Sequence, residues 1–470
     1  MSPLPQPDRK IGLWTATAIV IGESISLGIF LTPASMAKSL GSPALLAAVW
    51  CGMALITLGG ALTFSELALR NPVDGGEYVY LRRGFGPSIA FLYAWMAAIV
   101  MYPGVAASLS VALVPYIQAI VPVPARLASF LPALILVAAG LVNYYGASLS
   151  RRTTAALNWL KIPVLVALVV WAFAAGHAAI SNVLPLAARR PGSDPLTTAI
   201  AGAAVSAFFC FGGWWEAGKI AGQVRNPSRT LPIAFAGGVL VVSALYLLVS
   251  FAFLAVVPLE QVHSNTAFVA QFGQALFGAS GARVLSACVV LCVLGGLMVL
   301  TMAVPRVTSA LAQSELPSGP LRAFARIHPR YGTPANAVLL QTAMALLALT
   351  LGAFDRILAF IIFSAVVFLA LTAATLFRSE SPVRRWWYPA APIVFLAGSA
   401  ALALMMLLNR PIPALIGAVI VLAGLPARML VIRQSANNSS QPLHDAAKAP
   451  PQSGLSPDTV ADLRTNNCEP

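Results

Sequence analysis

The chain of 470 residues is 59% hydrophobic and only 9% charged, far from the roughly one-quarter charged residues of a soluble domain. That composition excludes a soluble enzyme, and apolar runs that are continuous rather than alternating exclude a β-barrel, which leaves an all-α polytopic membrane protein. The formal charge of +14 belongs to loops between spans, so no nucleic-acid partner is expected: no solvent-exposed domain exists to carry a basic patch.

Residues 1–10 read as a polar, retained cytoplasmic start, without the small-residue cleavage site of a signal peptide. Apolar stretches separated by charge clusters and Pro/Gly turns then give about twelve expected spans, near 11–36, 43–69, 87–118, 127–146, 153–175, 197–220, 231–257, 282–311, 335–353, 355–377, 387–408 and 411–432. Residues 433–470, rich in Ser, Asn, Pro and Asp, lack the apolar content to fold alone and read as a disordered tail. With the N-terminus inside, 21 basic residues, Lys219 among them, lie on the cytoplasmic side against 7 outside. Both termini are therefore expected in the cytoplasm.

Two spans are interrupted in corresponding places: the first at Ser26-Leu27-Gly28 in IGESISLGIFLTP, the sixth at Gly212-Gly213 in FFCFGGWWEAGKIAG. Paired broken helices at the start of two five-helix halves point to an inverted-repeat transporter with its site at the midplane. Glycines that merely allow close helix packing would look the same.

Two charges fall inside apolar runs. Glu23, the one charged side chain of the first span, must be protonated, paired or wetted. Lys161 in NWLKIP needs carbonyls or a carboxylate, unless it snorkels toward the interface near Arg152. Cys51, Cys210, Cys288 and Cys292 lie in spans and Cys468 near the end, giving neither a disulfide framework nor a zinc spacing. No metal or cofactor is expected. His177, His263, His328 and His444 all fall outside the spans, so no catalytic cluster is expected, and the absence of a Walker sequence argues against ATP drive.

Taken together, GIFLTP at 28–33, PVDGGEYVYLRRGFGP at 72–87, Asn143-Tyr144-Tyr145-Gly146, NWLKIP around Lys161, FFCFGGWW at 208–215, RNPSRTLP at 225–232 and PRVTSALAQ at 305–313 resemble the amino acid, polyamine and organocation superfamily of transporters, especially its L-type amino acid transporters. The resemblance implies a LeuT-type core of two inverted five-helix repeats, 11–175 and 197–377, two further helices over 387–432, and alternating access.

A zwitterion crossing hydrocarbon needs both charged ends satisfied without fixed charges that hold it too tightly, and broken helices supply such groups. The N–H groups of Leu27, Gly28 and Ile29 form a helix start suited to a carboxylate. Carbonyls from Gly22 through Glu23 to Ile25, and around Phe209, Phe211 and Gly212, suit an ammonium. Ser26-Leu27-Gly28 departs from the Gly-Ser-Gly or Gly-Ala-Gly of the family and keeps only the last glycine.

The resemblance further implies that Phe209 closes over the substrate, that Trp215 shapes selection of its side chain, and that Lys161 takes the place of a sodium ion. Packing of Phe209 against lipid or a neighbouring helix is the other reading of that ring. Glu216 is expected to face cytosol-accessible structure between the broken helix and its loop. Glu23 is expected either to exchange protons or to pair with Lys161. The segment 72–87 reads as the first cytoplasmic loop, or simply an amphipathic anchor, and Pro305-Arg306 as the cytoplasmic close of the eighth span. The expected function is sodium-independent amino acid transport in an inner membrane, by proton symport or exchange. An amine or polyamine antiporter and a non-transporting receptor on the same fold stand as alternatives. L-type relatives that pair with a glycoprotein subunit carry a cysteine between spans three and four; the connection 120–126 has none, so the resemblance implies no disulfide-linked heavy subunit.

Overall fold

The computed structural model describes residues 11–25, 27–73, 75–145, 162–262, 268–315, 320–351, 354–378, 387–409 and 411–429. Ser26 and Lys161 lie outside these, as does the whole stretch 146–161. Eight helices among the described residues are long and apolar enough to cross a membrane, and three shorter apolar helices accompany them. The chain is thus a multi-pass, all-helical membrane protein.

The first segment is broken: α1 (Leu13–Ser24), a 3₁₀ turn over Leu27–Phe30, then α2 (Pro33–Leu40). α3 (Pro43–Arg70) starts where Ser42 accepts the Leu45 N–H and Pro43 occupies the first turn, whose amides have no intrahelical partner anyway. The short α4 (Glu77–Phe85) precedes α5 (Pro87–Ile120), which carries a π-turn at Ala97–Met101. Next come α6 (Leu131–Tyr145), α7 (Ile162–Ala174) and α8 (Leu196–Phe211), the last followed by a 3₁₀ segment, Trp214–Gln223. The remainder is α9 (Pro227–Val256), α10 (Phe268–Glu315), α11 (Ala335–Ala348), α12 (Phe354–Arg378), α13 (Ala390–Asn409) and α14 (Pro411–Leu422).

α10 is two helices in succession: at Gly278 (φ 68°, ψ −161°) the backbone is not helical, so the second helix starts after Gly278, close to the expected 282. Its close differs from the sequence reading. Pro305 does not close that helix: α10 continues to Glu315 with the proline inside it. Neighbouring helices in a membrane protein re-satisfy the groups that such a proline frees.

Helices pack through small residues, as expected where lipid is as apolar as the protein and close approach supplies the attraction. A Cβ on Gly238 of α9 would sit 2.5 Å from Val20 of α1, and one on Gly60 of α3 would sit 2.7 Å from Trp214 and Phe395. Leu55, Leu134, Val170, Leu240 and Val419 point outward and exposed, which needs no explanation on a lipid-facing surface.

Candidate functional site

The two breaks touch each other. α1 ends at Ser24 and Ile25 leaves helical geometry (φ −69°, ψ 66°), while α8 ends at Phe211 and turns through Gly212 and Gly213 (φ 108°). A Cβ on Gly213 would lie 2.2 Å from the Glu23 carbonyl oxygen, and one on Gly28 would lie 2.7 and 2.8 Å from Cys210 Sγ and Cα. These glycines let two backbones meet where each has lost its helical hydrogen bonds. Close packing and broken helices, distinct readings of the sequence, are therefore one feature here.

Tyr246 of α9 bridges the breaks. Its hydroxyl lies 2.7 Å from both the Ser24 and the Cys210 carbonyl oxygens, and its ring packs with Trp50 and Phe211. Two of the expected carbonyls already have one donor each: Ser24 takes the Tyr246 hydroxyl, and Phe209 accepts the Gly212 N–H at 3.1 Å. Tyr246→Phe removes the single hydroxyl donor that the Ser24 and Cys210 carbonyls share. The expected outcome is a stability loss of about 1–2 kcal/mol, read as a lower midpoint in thermal unfolding of the purified protein.

The other expected residues separate into groups. On the α2 side of the first break, the Gly28 carbonyl accepts from Leu31 N, Thr32 N and the Thr32 hydroxyl. That hydroxyl also meets Cys210 Sγ at 3.0 Å. Ile25 and Ile29 are fully buried, whereas a Cβ on Gly22 would meet nothing within 4 Å. Phe209 is buried, with its ring beside Gly28. Phe211 turns instead into the Trp50 and Tyr246 cluster. Trp215 stacks on Phe208 and donates its indole N–H to Glu216 at 3.0 Å.

The structure adds polar groups that the sequence did not single out. Ser24 Oγ and Trp50 Nε1 are buried and have no hydrogen-bond partner among the described residues. Beneath the second break, Lys219 Nζ binds Glu216 Oε2 at 2.5 Å and the Tyr102 hydroxyl at 2.7 Å, and Tyr102 donates to Glu216 Oε1 at 3.0 Å. Glu23 lies close enough to Tyr102 to act on it electrostatically. Lys219, one of the cytoplasmic basic residues of the sequence count, is therefore engaged inside the protein; three residues from Glu216 on a helical segment, it had a local signal for pairing.

Segment 72–87 is more than an anchor. Arg82 and Arg83 are exposed, but Glu77 and Tyr80 are buried. Gly75 N–H donates to the Lys219 carbonyl at 3.2 Å and Tyr80 to that of Gly218 at 3.3 Å. At the same end, Ile11 pairs with the strand-like end of the 3₁₀ segment through Gln223 and Arg225 at 3.0 and 2.8 Å.

A family model described as amino acid permease matches residues 11–434. The serine/threonine exchanger SteT of Bacillus subtilis (strain 168) is 25% identical over 89% of this chain and 95% of its own length. The human cystine/glutamate transporter is 26% identical over 91% of this chain and 86% of its own. The human large neutral amino acids transporter small subunit 2 is 27% identical, covering 90% and 80%.

Proposed function

The chain belongs to the amino acid permease family, whose members are transporters and not enzymes, and from that premise we propose that it is a sodium-independent amino acid permease working by exchange or proton symport. The observation that carries the proposal is the meeting of two helix breaks, at Ile25 to Gly28 and at Gly212-Gly213. Such a junction offers N–H groups of Leu27, Gly28 and Ile29 toward a carboxylate and carbonyls toward an ammonium, with no fixed ion pair to trap either.

In this reading the chain has twelve spans: two inverted five-helix halves, 11–175 and 197–377, with two further helices over 387–432. It sits in an inner membrane with both termini cytoplasmic, and it has no disulfide-linked heavy subunit. Ser24 Oγ and Trp50 Nε1, buried beside the breaks with no hydrogen-bond partner among the described residues, join the polar lining, and Phe209 closes over the substrate. Lys161 is proposed to stand where other transporters of this architecture hold sodium. Glu23, at the last turn of α1, gives the alternative of an amine or polyamine antiporter its one specific support, since a carboxylate there suits a second positive charge.

Purified protein in proteoliposomes, preloaded with each amino acid in turn, is expected to take up labelled substrate equally well in choline and in sodium medium. Lys161→Ala is expected to lower the rate by about tenfold or more while still inserting. Uptake that requires sodium rejects the ion assignment, and preference for polyamines over every amino acid favours the alternative.

A further inference from the structure

We propose that Glu77 is a proton-binding group that governs the gate beneath the second helix break, losing its proton as that end opens. The inference rests on the transport reading above and adds a site to it.

Glu77 has 0% exposure, and its carboxyl oxygens close no hydrogen bond of ordinary geometry among the described residues, the Tyr93 hydroxyl being the side-chain donor that bears on them. An ionised carboxylate in that state is costly, whereas a neutral carboxylic acid is tolerated. It is delivered there by Gly75 and Gly76, both at positive φ (125° and 53°), which turn the chain so that α4 starts with Glu77 pointing inward.

Titratable and charged groups lie on every element packed against α4, Lys219 and Glu216 being the charges that act on Glu77. The 3₁₀ segment supplies Lys219 and Glu216, and α5 supplies Tyr93 and Tyr102. α3 contributes Glu66 and Arg70, which pair with each other. From α12 comes Arg378, over the Phe85 ring at the far end of α4. On α4 itself, Tyr80 is buried while Arg82 and Arg83 are exposed, Arg83 being bound to Asn71. Burial pushes the Glu77 carboxyl up to about 7, with Lys219 pulling the other way and Glu216 adding to the rise.

The gate is neutral when shut: Lys219 balances Glu216, and Glu77 carries its proton. Among the described residues, the Gly75 and Tyr80 bonds to the Lys219 and Gly218 carbonyls hold the loop to the 3₁₀ segment. Parting these lets water reach Glu77. The O–H bond then breaks, the electron pair stays on the carboxylate and the proton passes to water on that side. Re-closure requires a proton to return, so gate closure and proton uptake are linked.

Two measurements on the full chain test this. In lipid nanodiscs, hydrogen exchange of residues 214–223, corrected for its intrinsic pH dependence, should become at least about tenfold faster from about pH 6 to about pH 8 in the wild type. Glu77→Gln should flatten that change to less than about twofold, and Glu77→Asp should restore it. In proteoliposomes, the pH profile of amino acid exchange should flatten in the same variant. A pH response unchanged in Glu77→Gln, or absent from the wild type, overturns the proposal. If the wild type exchanges no amino acid, the transport reading fails, while the hydrogen-exchange result still decides for or against the proton-binding gate.

Discussion

Gly213→Ala is expected to reduce transport to below roughly one-hundredth of the wild-type rate, and to destabilise the protein by at least about 3 kcal/mol. Two effects add. The backbone at Gly213 has φ 108°, a region that L side chains rarely adopt. The new Cβ would also lie 2.2 Å from the Glu23 carbonyl oxygen and 2.8 Å from its carbon. Backbone atoms cannot rotate aside as a long side chain does, so either α1 or the turn after α8 must shift, and both carry the site. Gly237→Ala is the control, since its Cβ meets nothing within 4 Å and it lies inside α9. Alanine there is favoured by helix propensity. Initial rates in proteoliposomes and thermal midpoints of the two variants check the contrast. Near-normal transport by Gly213→Ala would show that the breaks do not need their observed contact.

Lys219→Met is expected to cost on the order of 3 kcal/mol at pH 8, because it leaves Glu216 and the buried Glu77 without the cation that faces both. Glu216→Gln in the same chain should recover a large part of that loss, a coupling that a double-mutant cycle measures. The pH dependence has a definite sign. Glu77 stands above its ordinary value of 4.5, near 7, so the folded state holds this proton more tightly than the unfolded chain. Its contribution is fully present below about pH 4.5 and is lost as pH rises through about 7. Removing Lys219 takes away the attraction that lowers this value and moves the window upward. The penalty of Lys219→Met should therefore shrink as pH falls from about 8 to about 5, visible as converging thermal midpoints. A penalty equal at both ends would mean that Lys219 contributes packing alone.

Much of the architecture was legible because its causes are local. Continuous apolar runs specify helices in lipid, where every backbone group must bond within its own segment. Runs of glycine or small residues, as at Gly212-Gly213, mark where a helix stops. Pairing of the breaks was also legible, as two interruptions in matching positions. Long-range contacts decided the rest. Pro305-Arg306 reads as the close of the eighth span, yet the helix runs on to Glu315 with the proline inside it. Tyr246 reads as one more aromatic in an apolar run; only the fold brings its hydroxyl to Ser24 and Cys210, 222 and 36 residues away in sequence. Glu77 reads as a loop carboxylate beside two arginines, and Lys219 as an ordinary inside cation. A polar side chain's chemistry is set by what surrounds it: burial made Glu77 a proton-binding group, and Glu216 with Tyr102 made Lys219 part of a gate.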